Sequence, residues 1–164
     1  MDSWFGSVRK NLSAAGFVIF DDVSYEGETF PLVARRTRFE LTKFGFSESF
    51  FVFCAFDRLT TAEVREFSAD AYRYAKQHKK IPLPCGLFES VWCYAIALAE
   101  AVDEATLDSI RFETPPKHWA SAEIPVVYDE GRGKLFYFEK TPLWGSAYYA
   151  GFRKQIRQLL EGIG

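Results

Sequence analysis

The stretch ESFFVFCAF, residues 48–56, decides the fold. Phe50, Phe51, Val52 and Phe53 follow one another without a polar residue between them. A β-strand sends successive side chains to opposite faces, so a run that is apolar at every position needs cover above and below the sheet. The segment therefore predicts a central strand with layers packed on both sides. The rest of the chain must supply its neighbouring strands and the covering helices.

Upstream, residues 17–25 read as a strand, Gly27 between Glu26 and Glu28 as a turn, and residues 30–40 as the returning strand. Pro31 stands near the start of that strand, where a missing N–H is tolerable. Gly45 marks a further turn. Earlier still, Trp4, Phe5, Val8, Leu12 and Ala15 recur at helical spacing, and Gly16 suits the C-terminal cap of that helix. Downstream, Thr60 and Glu63 have the spacing of a capping box, and Leu59 with Val64 that of a hydrophobic staple. Val64, Phe67, Ala71, Tyr74 and Ala75 form the apolar stripe of the helix that follows. It ends near His78, where Lys79 and Lys80 complement its dipole, and IPLP at 81–84 makes a stiff connector.

Residues 87–100, LFESVWCYAIALAE, carry two signals at once. The alanines favour helix; Val91, Trp92, Tyr94 and Ile96 favour a buried strand. The strand is preferred, because a new capped helix begins at Asp103 and runs to Arg111. Residues 124–128 and 134–139 form a hairpin around Gly131, Arg132 and Gly133. A last helix spans 146–161, with Phe152, Ile156, Leu159 and Leu160 on one side and Arg153, Lys154 and Arg157 on the other. The order is α-βββ-α-β-α-ββ-α. It implies an α+β protein: one domain, with a mixed or mostly antiparallel sheet and packed helices. A length of 164 residues suits one core, and no repeat, low-complexity tract or linker marks a second domain.

The first half of this order resembles the core of the PD-(D/E)XK nucleases. Ala15-Gly16-Phe17 is similar to the "GF" that ends the first helix in archaeal Holliday-junction resolvases. Phe30-Pro31-Leu32-Val33-Ala34-Arg35-Arg36 looks like the strand that carries the first acid of that family, and residues 50–56 look like the strand that carries E-x-K. Leu32 stands where the resemblance places the metal-binding Asp, and the third strand offers neither Glu nor Lys at the family's spacing. The resemblance thus implies a nuclease-like scaffold without its metal chemistry.

The composition narrows the classes of function. Twenty basic and 22 acidic residues give a net charge of −2, which disfavours a dedicated nucleic-acid binder. No apolar run has transmembrane length. The opening MDSWFGSVRKNLSAAGF has an acid at position two and no apolar core, so no signal peptide is expected. Cys54, Cys85 and Cys93 are an odd set without C-x-x-C spacing, which suits a reduced, cytoplasmic protein. The 17 Phe residues exceed what a small core obviously needs, and the surplus predicts self-association as a two-fold homodimer. The ligand spacings of zinc and carboxylate sites are absent, so no metal or cofactor is expected.

Candidate chemistry concentrates late in the chain. Pro115-Pro116-Lys117-His118-Trp119 is a stiffened loop presenting a cation, a potential general base and a large aromatic side chain. Trp144-Gly145-Ser146 leaves the hairpin near the point where His118 and Trp119 enter it, since the two ends of a hairpin lie side by side. Glu139 lies at that same end and is a candidate partner for His118, whereas Asp129 reads as a turn residue. On the second strand, Arg36 and Arg38 share one face and Arg35 takes the other. A ligand site is therefore expected at His118, Trp119, Trp144, Lys117, Arg36 and Arg38. The leading expectation is a non-catalytic binding or assembly module. Two alternatives stand beside it: an enzyme using His118 with Lys117 or Glu139 as acid and base, and a degenerate nuclease-like domain that binds nucleic acid through Arg36, Arg38 and the basic face of the last helix.

Overall fold

A computed structural model describes residues 2–41, 44–86, 88–141 and 146–161. Helix α1 (Asp2–Ala14) leads into an antiparallel meander of β1 (Val18–Tyr25), β2 (Glu28–Glu40) and β3 (Gly45–Leu59). Helix α2 (Thr61–Gln77) crosses to β4 (Glu89–Val102), and α3 (Glu104–Phe112) crosses to β6 (Ser121–Asp129) by way of the two-residue strand β5 (Lys117–His118). Strand β7 (Lys134–Tyr137), helix α4 (Ser146–Ile156) and a closing π-helical turn (Arg157–Glu161) complete the order. The strands form one seven-stranded mixed sheet, β1-β2-β3-β4-β6, with β5 and β7 both paired to β6. The pairs β3–β4 and β4–β6 are parallel; every other pair is antiparallel. The architecture is the α+β arrangement expected from the sequence.

Local chemistry explains the clearest boundary. The Thr60 hydroxyl accepts from the Glu63 N–H, and the Glu63 carboxylate accepts from the Thr60 N–H at 2.8 Å. A cap of this kind contributes about 1 kcal/mol. Leu59 and Val64 are buried in the same apolar cluster, as a staple requires. The Glu26-Gly27 turn between β1 and β2 has φ of 49° and 92°, the left-handed pair that a tight hairpin needs.

Strand β3 is covered on both sides, as its sequence demands. Phe50 and Val52 face α2 and α3; Phe51 and Phe53 face α1 and α4. Strand β4 resolves its own ambiguity. Ala95, Ala97 and Ala99 lie under α2, while Tyr94, Ile96 and Leu98 fill the opposite layer. The alanines that suggested a helix are the small row that lets a helix pack close to the strand.

One expectation needs correction. Gly45 opens β3 instead of forming a turn, and Phe44, with φ of 46°, ends the connection before it. The glycine is required by proximity: a Cβ on Gly45 would lie 2.7 Å from the carbonyl oxygen of Phe88. The Phe46 N–H donates to that same oxygen at 2.7 Å.

Candidate functional site

The parallel register places the amino ends of β3, β4 and β6 together, with Phe46 beside Glu89 and Val91 beside Ser121. The connections that deliver the chain to these ends converge there. Both crossover helices, α2 and α3, lie on the same face of the sheet, so the fold has no topological switch point at the carboxyl ends of its strands. The concave surface lies at the amino ends instead. A groove of about 530 Å³ is walled there by Phe88, Trp92, His118, Trp119, Tyr148 and Phe152. A second cavity of about 480 Å³ adjoins it on the α4 side and shares Glu40, Trp92, Tyr148 and Phe152 with it.

The β5–β6 connection builds one wall of the groove. His118 pairs with Ser121, leaving Trp119 and Ala120 at the tip, and Ala120 takes φ of 52° to close the turn. Trp119 is 83% exposed. Its indole lies against Gly86, where a Cβ would come within 2.2 Å of Nε1, so only glycine lets the ring sit there. Next to it, the His118 imidazole stacks on Tyr72 with ring centroids 4.0 Å apart. His118 Nε2 lies 3.1 Å from Oε2 of Glu123, a carboxylate only 5% exposed. The Tyr72 hydroxyl lies 2.5 Å from Ser121 Oγ, and burial pushes that phenol up.

Two further carboxylates sit at the strand ends on the α2 side. Glu48 is fully buried and accepts from the Lys80 N–H at 2.9 Å and the Ile81 N–H at 2.7 Å. Glu89 is also buried; one of its oxygens is bonded by Lys79 Nζ, and Oε1 has no partner among the described residues. Burial pushes the Glu89 carboxyl up, Lys79 opposes this, and nearby Glu48 adds to it. Cys93 is no nucleophile in this setting: it is wholly enclosed, and burial together with Glu123 holds its thiol well above the ordinary range.

The second cavity has a different lining. Arg36, Arg38 and Lys154 reach it together with Ser47, Ser49 and Gln155. Arg36 is held rigidly: Nη1 donates to the Ala15 carbonyl at 2.9 Å, and the guanidinium lies 4.3 Å from the centre of the Phe17 ring. Its Nε is buried without a partner among the described residues. Gln155 is oriented by the Tyr94 hydroxyl, which donates to Oε1 at 2.6 Å.

Of the residues singled out in the sequence, His118 and Trp119 line the groove, and Arg36 and Arg38 line the cavity beside it. Lys117 lies in β5 opposite Ala122, but its side chain is outside the described residues, as is Trp144. The pairing of His118 with Glu139 is replaced. Strand β7 ends at Tyr137, and the chain then turns toward α3, where the Glu139 N–H donates to the Arg111 carbonyl and its carboxylate accepts from Arg111 Nε at 2.8 Å. Glu123 takes the place beside His118. Asp129 caps its turn, accepting from the Arg132 N–H at 3.0 Å. Leu32, at the position the nuclease resemblance gives to a metal-binding acid, is buried in the apolar layer under α1 and α4. Among the described residues no group of three or more His, Cys, Asp or Glu side chains is placed to hold a metal ion, and no helix is long and apolar enough to cross a membrane.

Comparison with known proteins adds no relative: no family model, no curated protein and no solved structure matches this chain.

Proposed function

We propose that this chain is a non-catalytic binding module that holds its ligand in the groove at the amino ends of β3, β4 and β6. The observation that carries the reading is Trp119. A large aromatic side chain left 83% exposed, held at a hairpin tip and seated on a glycine, costs apolar hydration and gains little packing in return. A ligand stacking on it recovers that cost, and the tight hairpin lowers the entropy lost on binding. Native mass spectrometry of the purified protein tests this: the reading expects a bound small molecule in the wild type that is lost in Trp119→Ala. Equal ligand occupancy in the two proteins contradicts it.

The same reading includes a two-fold homodimer in the cytoplasm. Phe39, Leu41, Phe44 and Phe88 are all more than half exposed, and they lie around the β2–β3 connection and the lead into β4. An apolar patch of this kind supports self-association. The three cysteines are free thiols, which supports a reducing compartment. A monomer by light scattering removes the dimer.

The His118–Glu123 pair favours a second reading, acid–base catalysis. A buried carboxylate on Nε2 fixes the imidazole and leaves Nδ1 for a substrate. Turnover of a bound compound that is abolished in His118→Gln while binding is kept selects this reading over the first.

A further inference from the structure

The second cavity holds cations that the fold does not neutralise. Arg38 and Lys154 make no ion pair or hydrogen bond with any described residue, in a chain whose other arginines are largely paired. Arg36 is packed in place with a buried donor, Nε, left without an acceptor. Burial, with Arg38 beside it, makes the Arg36 cation harder to keep, so the site is electrostatically strained in the direction an anion relieves. Ser47 and Ser49 bring hydroxyl donors from β3, and Gln155, its oxygen already occupied by Tyr94, keeps its amide N–H groups for the cavity.

Charge and shape identify the anion. Among the described lining residues three cations stand against one carboxylate, Glu40, a net of two positive charges. That balance matches a phosphate monoester dianion better than a carboxylate or a phosphodiester, each of which carries one charge. The cavity, at about 480 Å³, is much larger than a phosphate group, and it shares Trp92, Tyr148 and Phe152 with the aromatic groove. Arginine forks and hydroxyls suit the oxygens at one end; flat ring faces suit a planar body at the other.

Building on the groove reading above, we infer that the ligand is a phosphate monoester on an aromatic body, its phosphate held by Arg36, Arg38 and Lys154 and its ring by Trp119 and Trp92. The ligand class is that of a nucleoside monophosphate.

Calorimetric titration with AMP, adenosine and inorganic phosphate tests this on the full chain. Arg38→Gln with Lys154→Gln is the variant of choice, because both side chains are unpartnered and such surface changes rarely unfold a protein. AMP is expected to bind the wild type more tightly than adenosine, with an affinity that falls as salt is added. The double variant is expected to weaken AMP about tenfold or more and to leave adenosine unchanged. Trp119→Ala is expected to weaken both. If AMP and adenosine bind alike, or the double variant binds AMP as the wild type does, the phosphate site is overturned while the groove reading stands. If neither compound binds, the phosphate-monoester inference fails; if Trp119→Ala also leaves the co-purified ligand in place, the groove reading fails with it. An oligonucleotide without terminal phosphates that binds more tightly than AMP also overturns the inference, in favour of a phosphodiester.

Discussion

The two sides of the sheet treat charge differently at the same end of the same strands. On the α2 side, Glu48, Glu89 and Glu123 are buried, and each carboxylate has a partner within the protein, two backbone N–H groups, Lys79 and His118 respectively, although one oxygen of Glu89 has none among the described residues. On the α4 side, Arg38 and Lys154 line a cavity with no partner among the described residues, and Arg36 has a buried donor that none of them accepts from. Buried charge that is answered within the fold is structural; charge that is gathered and left unanswered points outward, to something the fold does not contain. The contrast makes the first region a matter of stability and the second a matter of binding, and substitutions should separate them.

The largest effect is expected at Glu48. Replacing it with Ala removes the acceptor for two backbone N–H groups in the connection after α2, and denaturant unfolding should show a loss of about 3–5 kcal/mol. A loss under about 1 kcal/mol would break the contrast, because Glu48 would then not be holding that connection. Gly86→Ala should come next, at about 1–3 kcal/mol, since the new methyl meets the Trp119 indole and the backbone there has φ of 101°. Tyr94→Phe should cost about 1 kcal/mol, the net worth of its bond to Gln155.

Glu89 gives the contrast a pH signature. Burial raises its folded-state value, so the folded protein binds the proton more tightly than the unfolded chain does. The stability Glu89 contributes is fully present below the ordinary glutamate value of 4.5 and is lost as pH rises through the raised folded-state value. Unfolding curves of the wild type and Glu89→Gln should therefore diverge above about pH 4.5, with the wild type losing ground. Parallel curves would show that Glu89 stays fully compensated by Lys79. The smallest stability effect is expected at Trp119→Ala, within about 0.5 kcal/mol, because the ring is almost wholly exposed.

What could be read from the sequence followed the range of the interactions involved. Helix α2 was legible because its cap and staple lie within six residues of one another. Strand β4 was legible only indirectly, through the capped helix after it, because its alanine row reflects packing against α2. His118 and Trp119 were legible as an exposed cluster after a Pro-Pro pair, and Arg36 and Arg38 as a shared strand face. Glu123 was not legible: SAEIPVV reads as the wet start of a strand, and its burial comes from Cys93 on β4 and from the β5 hairpin folding over it. Glu48 was hidden within the very run that decides the fold, since its partners arrive from 32 and 33 residues away. The joining of Lys154 to the arginines of β2 likewise needs the sheet to be built first.

Indole ¹⁵N–¹H signals offer the most direct test that the groove is a binding site. Trp92 and Trp119 line it, whereas Trp4, a residue of α1, is buried and stacked on Tyr128 with ring centroids 4.1 Å apart, and serves as an internal control. On titration with AMP, the signals of Trp92 and Trp119 should move together along one saturating curve while that of Trp4 stays in place. If AMP binds while the Trp92 and Trp119 signals stay in place, or if Trp4 moves as far as they do, the groove is not where this protein binds.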